Sequence, residues 1–183
     1  MQQKIHHGYF LLFIIFSILI LNGSCKKKSS EPAPEIGKTY KGGLVFYIDN
    51  SGLHGLVAAP SDLGAGSAWG CIGAAINGAD GTTIGTGNQN TIDITNNCQE
   101  AGNAAKLCSD FTLDGFSDWY LPSKDELNLM YQQRSTIGGF SKDTYWSSSE
   151  FSATHAWLQS FDTGAQYNTK KDYGTSLRAI RAF

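Results

Sequence analysis

Asp114 to Met130 reads D-G-F-S-D-W-Y-L-P-S-K-D-E-L-N-L-M, and Tyr145 to Glu150 answers it with Y-W-S-S-S-E. The right half of the first string is a helix start. Ser123 has the chemistry of an N-cap, Glu126 three residues on closes a capping box, and Leu127, Met130 and Tyr131 follow at helical spacing. Pro122 sets the approach to the cap, and Asp125 and Glu126 suit the positive end of the helix dipole. Trp119, Tyr120 and Leu121 therefore arrive at a rigid corner. Two large aromatics beside an apolar helical stripe read as a core-building element, and Tyr145, Trp146 and the serines after them as scaffold framed by it.

Upstream of that corner, residues 1–25 place Lys4 ahead of an apolar run from Tyr9 to Leu21, followed by Asn22, Gly23, Ser24 and Cys25. The run is shorter than the ~20 residues that span a bilayer and reads as the hydrophobic region of an export signal. Small residues directly before a cysteine resemble the lipobox of bacterial lipoproteins, which implies cleavage before Cys25 and its lipidation; the leucine stands one place further out than usual. Residues 26–35 hold lysines, serines and two prolines with almost nothing to bury, as an extended tether would.

Residues 36–183 have the length of one domain. They carry 10 Lys and Arg against 14 Asp and Glu, a net charge of −4, and no basic cluster. A phosphate-binding face is missing, so nucleic acid is excluded as a partner. Abundant Gly, Asn, Ser and Thr with well-represented Trp and Tyr fit a loop-rich α+β module.

Leu44 to Ile48 and Gly55 to Ala59 are β-prone runs joined by Asp49-Asn50-Ser51-Gly52, which predicts a hairpin. Pro60 to Asn97 has little periodicity and reads as a long ordered loop, of the kind that carries function or is held by a cross-link. Gln99 to Phe111 reads as a helix with Ala101, Ala104, Ala105 and Cys108 on its buried stripe. If Cys98 begins that helix, Cys98 and Cys108 stand ~15 Å apart, beyond bridging reach. Cys71–Cys98 is then the expected disulfide, with Cys108 free and buried. No metal site is expected, because no C-x-x-C or H-x-x-H spacing accompanies the cysteines and His54 and His155 are isolated.

From Thr144 to Phe183 short strands follow one another. Ala156 to Phe161 alternates up to a turn at Asp162-Thr163-Gly164, Ala165 to Asn168 returns, and Leu177 to Phe183 closes the sheet with Arg178 and Arg181 between apolar residues. The side chains between are mostly Tyr, Asn, Thr, Gln, Asp, Ser and Lys. Rigid aromatics beside adaptable hydrogen-bonding groups are the chemistry of a recognition surface.

D-W-Y-L-P-S-K-D-E-L-N-L-M-Y, Y-W-S-S-S-E, the terminal L-R-A-I-R-A-F and the early G-G-L-V-F-Y-I-D and H-G-L-V-A-A together resemble the Lcl C-terminal domain family of bacterial secreted and lipid-anchored modules, over residues 36–183. L-P-S-K-D-E-L and R-A-I-R are more distantly similar to formylglycine-generating enzymes. Both resemblances imply a C-type-lectin-like α+β fold: a single domain with two helices, short antiparallel strands and long ordered loops. The late segment also resembles the variable region of retroelement-diversified lectin-fold proteins. By position, that resemblance implies a ligand face of Ser152, Thr154, His155, Trp157, Gln159, Asp162, Gln166, Tyr167, Asn168, Lys170, Lys171 and Tyr173.

These readings converge on a lipid-anchored module of the bacterial cell envelope, at the outer membrane or cell surface. It would recognise a glycan or a surface protein without catalysis and without a cofactor, touching the membrane only through its anchor. A structural envelope component is the alternative. An oxidase like the formylglycine-generating enzymes is disfavoured, because their reactive cysteines lie late in the fold and none follows Cys108 here. Calcium-dependent sugar binding is also disfavoured, since no E-P-N, Q-P-D or W-N-D string occurs.

Overall fold

The chain alternates short strands and helices in the order β1 (Thr39–Tyr40), β2 (Gly43–Ile48), β3 (Gly55–Ala58), β4 (Gly64–Ser67), α1 (Gly87–Asn97), α2 (Ala104–Ser109), α3 (Lys124–Gln132) and α4 (Arg134–Ile137). It then runs through β5 (Thr144–Glu150), β6 (His155–Ser160), β7 (Gln166–Lys170), β8 (Thr175–Leu177) and β9 (Ile180–Ala182). The computed structural model describes Met1, residues 31–141 and residues 143–183. The export signal, the lipid site at Cys25 and most of the tether lie outside the described residues.

Two sheets form, ordered β1-β2-β3-β9 and β4-β8-β5-β6-β7. The architecture is α+β, as expected, with four helices among the described residues where two were foreseen. The β2–β3 hairpin lies where the turn chemistry placed it: the Asp49 carboxylate accepts the Ser51 amide at 3.0 Å and its hydroxyl at 2.6 Å, and Gly52 takes a left-handed φ of 71°. The Ser51 hydroxyl bond, the first of several contacts, holds the Asp49 carboxyl below its ordinary range.

The corner at 119–123 is built as its sequence reads. The Ser123 hydroxyl accepts from the Glu126 amide at 3.3 Å, and the Glu126 carboxylate accepts from the Ser123 amide at 2.7 Å. Tyr120 and Ile180 exchange both backbone hydrogen bonds at 2.9 Å, tying the corner to β9. Backbone alternation then sends neighbouring side chains to opposite sides. Trp119 and Leu121 enter a core with Trp69, Ile94, Cys108, Trp146 and Leu158, while Tyr120 enters a second core with Phe46, Leu127, Met130, Tyr145 and Ile180. Tyr145 and Trp146 divide in the same way, so β5 is covered by α3 on one face and by α1 and α2 on the other.

Two expectations are corrected. Pro60 to Asn97 is not loop throughout, since it contains β4 and all of α1. The buried stripe of α1 is Gly87, Asn90, Thr91 and Ile94, which has helical spacing but hardly any apolar side chains. A Cβ on Gly87 would collide with the Glu126 carboxylate, and Asn90 donates to Gly81 O at 2.6 Å, so this helix docks through close approach and hydrogen bonds. The helix expected over Gln99–Phe111 is confined to Ala104–Ser109, because Gly102 turns left-handed and Asn103 caps a new start by accepting from the Lys106 amide at 2.8 Å. Cys98 thus ends α1 and does not begin α2. The Cys71–Cys98 disulfide forms nonetheless, with Cα atoms 5.7 Å apart, and Cys108 is free and buried.

The serines of Y-W-S-S-S-E are all buried and act as rivets. Ser147 donates to Trp157 O at 2.8 Å, Ser149 donates to Gly81 O at 2.6 Å and accepts from the Lys124 amide at 3.0 Å, and Ser148 accepts from Asn90. Arg178, also buried, lies over the Phe140 ring and donates to Asp62 at 2.6 Å and to Gly139 O at 2.7 Å. No buried side-chain polar atom among the described residues lacks a partner.

Candidate functional site

The β6–β7 hairpin forms the free end of the five-stranded sheet, with β7 as its edge strand. Its turn packs tightly on α3: a Cβ on Gly164, at φ 83°, would stand 2.6 Å from the Tyr131 ring. Across the ladder His155 faces Lys170, Trp157 faces Asn168, Leu158 faces Tyr167 and Gln159 faces Gln166. Because side chains alternate, His155, Trp157, Asn168 and Lys170 share the face turned to α3, whereas Tyr167 stands beside Leu158 on the other.

On the α3 face the Lys124 ammonium lies 4.6 Å from the Trp157 ring centroid, and Phe151 meets the same indole edge-on at 5.3 Å. Gln159 donates to Asn128 Oδ1 at 2.9 Å and to Gly164 O at 3.0 Å, and Gln166 donates to Lys124 O at 2.8 Å. These two glutamines fasten the hairpin to α3. On the opposite side Tyr167 and Tyr173 are both exposed, and the Tyr167 phenol is raised in pKa first by partial burial and then by the charges of Tyr173 and Asp143.

The twelve residues foreseen as a ligand face therefore do not make one patch. Lys171 is fully buried: its ammonium pairs with Glu150, donates to Ala74 O at 2.7 Å and lies 4.5 Å from the Trp69 ring centroid. A buried lysine needs those partners, so it clamps the 70s loop and is closed to a surface ligand. Gln159 is buried for the reason already given. Ser152, Thr154 and His155 form the β5–β6 turn, where Ser152 Oγ accepts from the His155 amide at 3.2 Å and Thr154 Oγ1 lies 2.8 Å from His155 Nδ1. Asp162 lies at the other end of the hairpin, in the β6–β7 turn, beside α4. Phe151 and Lys124 belong to the surface but were not foreseen. Phe151 follows the Y-W-S-S-S-E string directly and could have been suspected as an unburied aromatic, whereas the position of Lys124 over Trp157 has no local signal.

Elsewhere, burial pushes the Cys108 thiol far above its ordinary range, which makes it a poor nucleophile. Cys71, Cys98 and Glu100 gather closely, but the two sulfurs are bonded to one another and offer no thiolate to a metal. No helix among the described residues is long and apolar enough to cross a membrane.

Fold and surface together define a disulfide-linked α+β module whose buried side-chain polar atoms, among the described residues, all have hydrogen-bond partners and whose free sheet edge is flanked by aromatics. The chain belongs to the Lcl C-terminal domain family, which it matches over residues 62–181. Among solved structures it is similar to a fimbrial protein from Bacteroides ovatus, with a TM-score of 0.54 and 14% identity over 81% of this chain and 45% of that one. The chain thus spans less than half of that structure, and the likeness is one of fold. No curated protein matches it.

Proposed function

We propose that this chain is a non-catalytic binding module displayed on the bacterial cell envelope, and that it meets a partner protein through the β6–β7 hairpin. One observation carries the reading: the three exposed large aromatics among the described residues, Phe151, Tyr167 and Tyr173, all lie on or beside this hairpin. Elsewhere among the described residues the aromatic side chains are half-buried or buried. Solvent-exposed aromatics on the two sides of one sheet edge, Tyr167 and Tyr173 together on one of them, supply rigid, amphipathic contact area at small entropic cost, as protein-recognition surfaces do.

The Lys124 ammonium already occupies a face of Trp157, which leaves that ring less free for a sugar to stack on. The open edge of the hairpin also offers backbone groups to an incoming strand. Family membership and the fimbrial fold likeness support display at the surface. An export signal in residues 1–25, lipid attachment at Cys25 and a tether over 26–35 would hold the module there.

The test immobilises the mature chain and screens envelope proteins and glycan arrays, with the double variant Tyr167→Ala/Tyr173→Ala alongside. The reading expects a protein hit weakened at least tenfold in the double variant at unchanged Tm. Equal binding by both forms refutes it, and a purely glycan hit transfers the site to a different ligand class. Cys25→Ser should release the chain from the membrane fraction.

A further inference from the structure

The free edge of β7 resolves into individual backbone groups. Ser160 N donates to Ala165 O at 2.9 Å, Lys171 N donates to Thr154 O at 3.0 Å, and the register between these two points is unbroken. Hydrogen-bonded pairs alternate along an antiparallel ladder, so Leu158 is bonded to Tyr167 and Ala156 to Thr169. Gln166, Asn168 and Lys170 therefore aim their N–H groups away from β6, where no further strand follows among the described residues. The carbonyls of Gln166 and Asn168 point the same way, while that of Lys170 accepts from the Tyr173 amide at 3.0 Å. We infer that the partner protein contributes an extended segment of alternating acidic and apolar residues, which adds to this edge as a further strand. The inference rests on the hairpin reading above and specifies the chemistry of what docks there.

Three basic side chains, each from a different stretch of the chain, gather on the α3 face of the hairpin. His155 and Lys170 stand opposite one another in a pair without ladder hydrogen bonds, the arrangement that brings side chains closest. Lys124, whose carbonyl accepts from Gln166 at 2.8 Å, sets its ammonium over Trp157 in the next row. None of the three has a carboxylate partner, since the ion pairs among the described residues use Lys106, Lys171, Arg178 and Arg181. Residues 2–30 and 142 contain no Asp or Glu, so the rest of the chain supplies no carboxylate either. A domain of net charge −4 thus leaves these cations without a counter-charge of its own.

An incoming strand alternates its side chains as β7 does. Those beside Gln166, Asn168 and Lys170 lie on the α3 face, where carboxylates meet the lysines. Those between them lie beside Tyr167, on the face where Tyr167 and Tyr173 are exposed, which suits apolar side chains. A lysine on an edge strand discourages pairing with another basic edge, and an acidic strand turns the same charge into an attraction.

The test titrates the isotope-labelled full chain with two capped peptides of about ten residues. One alternates glutamate with valine and tyrosine, and the other has lysine in place of every glutamate. The glutamate peptide should bind with a Kd on the order of 1 mM or tighter and slow amide exchange at Gln166 and Asn168 about tenfold at saturation. Tyr167 and Thr169, already bonded to β6, should keep their exchange rates. The lysine peptide should bind at least tenfold more weakly. Lys124→Gln/Lys170→Gln breaks no ion pair, so it should leave Tm nearly unchanged while abolishing that preference, as should salt raised to about 0.5 M. Binding without protection of Gln166 and Asn168, equal binding of the lysine peptide, or an undiminished preference in the lysine variant overturns the inference. Dextran sulfate is the polyanion comparator, and tighter binding of it with Gln166 and Asn168 unprotected overturns the inference as well. An envelope protein that binds wild type and Lys124→Gln/Lys170→Gln equally, but not Tyr167→Ala/Tyr173→Ala, would overturn the acidic strand and leave the hairpin reading intact.

Discussion

Replacing Glu126 with alanine should cost about 3–4 kcal/mol of folding stability, for reasons that can be counted in the structure. The fully buried carboxylate accepts the Ser123 amide at 2.7 Å, the Gly85 amide at 2.9 Å and the Tyr120 hydroxyl at 3.4 Å. It joins the start of α3 to the loop before α1, and Gly87 is glycine because this carboxylate presses against it. Alanine leaves two backbone donors and a phenol without an acceptor, each worth ~1–3 kcal/mol when buried. The carboxylate's own desolvation, which raises its pKa above the ordinary 4.5, offsets part of that sum. Glu126→Gln keeps the shape but turns an amide NH2 toward one of the donors, so about 2–3 kcal/mol is expected. For a domain of this size that is a Tm lowered by roughly 4–12 °C, read by calorimetry or circular dichroism.

The pH dependence supplies a sign to check. A carboxyl raised in the folded state holds its proton more tightly there than in the unfolded chain. Its contribution to stability is fully present below the unfolded value and declines as pH rises through the folded one. The gap between wild type and Glu126→Gln should therefore narrow as pH rises above the ordinary glutamate value of 4.5. A glutamine variant within ~0.5 kcal/mol of wild type at every pH would show that this corner does not depend on the carboxylate.

The other predictions are brief. Cys71→Ala should destabilise the module by about 3 kcal/mol, as expected for a bridge closing a loop between residues 27 apart, and Cys108 should stay unreactive toward thiol reagents until the protein unfolds. Lys171→Met leaves the Glu150 carboxylate with the Ile76 amide but without its cation and should cost about 3–5 kcal/mol by urea denaturation, with much of that recovered in the double variant Lys171→Met/Glu150→Gln. Failure of the second substitution to rescue the first would mean that packing against Trp69, not the ion pair, sets the cost.

How far the chain could be read residue by residue varied with the kind of contact involved. The capping box at Ser123 and Glu126 and the turn at Asp49–Gly52 involve partners two or three residues apart, so residue identity was enough. Helix α1 was missed because its docking face is glycine, asparagine and threonine with a single isoleucine, too weak a hydrophobic stripe to read until Glu126, Gly81 and Ser148 are brought against it. Lys171, foreseen on the ligand face, is buried because Glu150, Ala74 and the Trp69 ring converge on it from distant parts of the chain.

By itself the sequence determined the local chemistry of this protein: where strands alternate, where the chain turns, which residues cap α3, and which cysteine could bridge the long loop. Tertiary structure alone decided that neighbouring residues of the late hairpin look out from opposite faces, that Lys171 turns inward, and that Asp162 lies at the far end of the hairpin beside α4. The reason is that alternation along a strand can be read without knowing what covers each face. Which face is covered, and by which distant residues, is settled only when the sheet, α3 and the loops pack together.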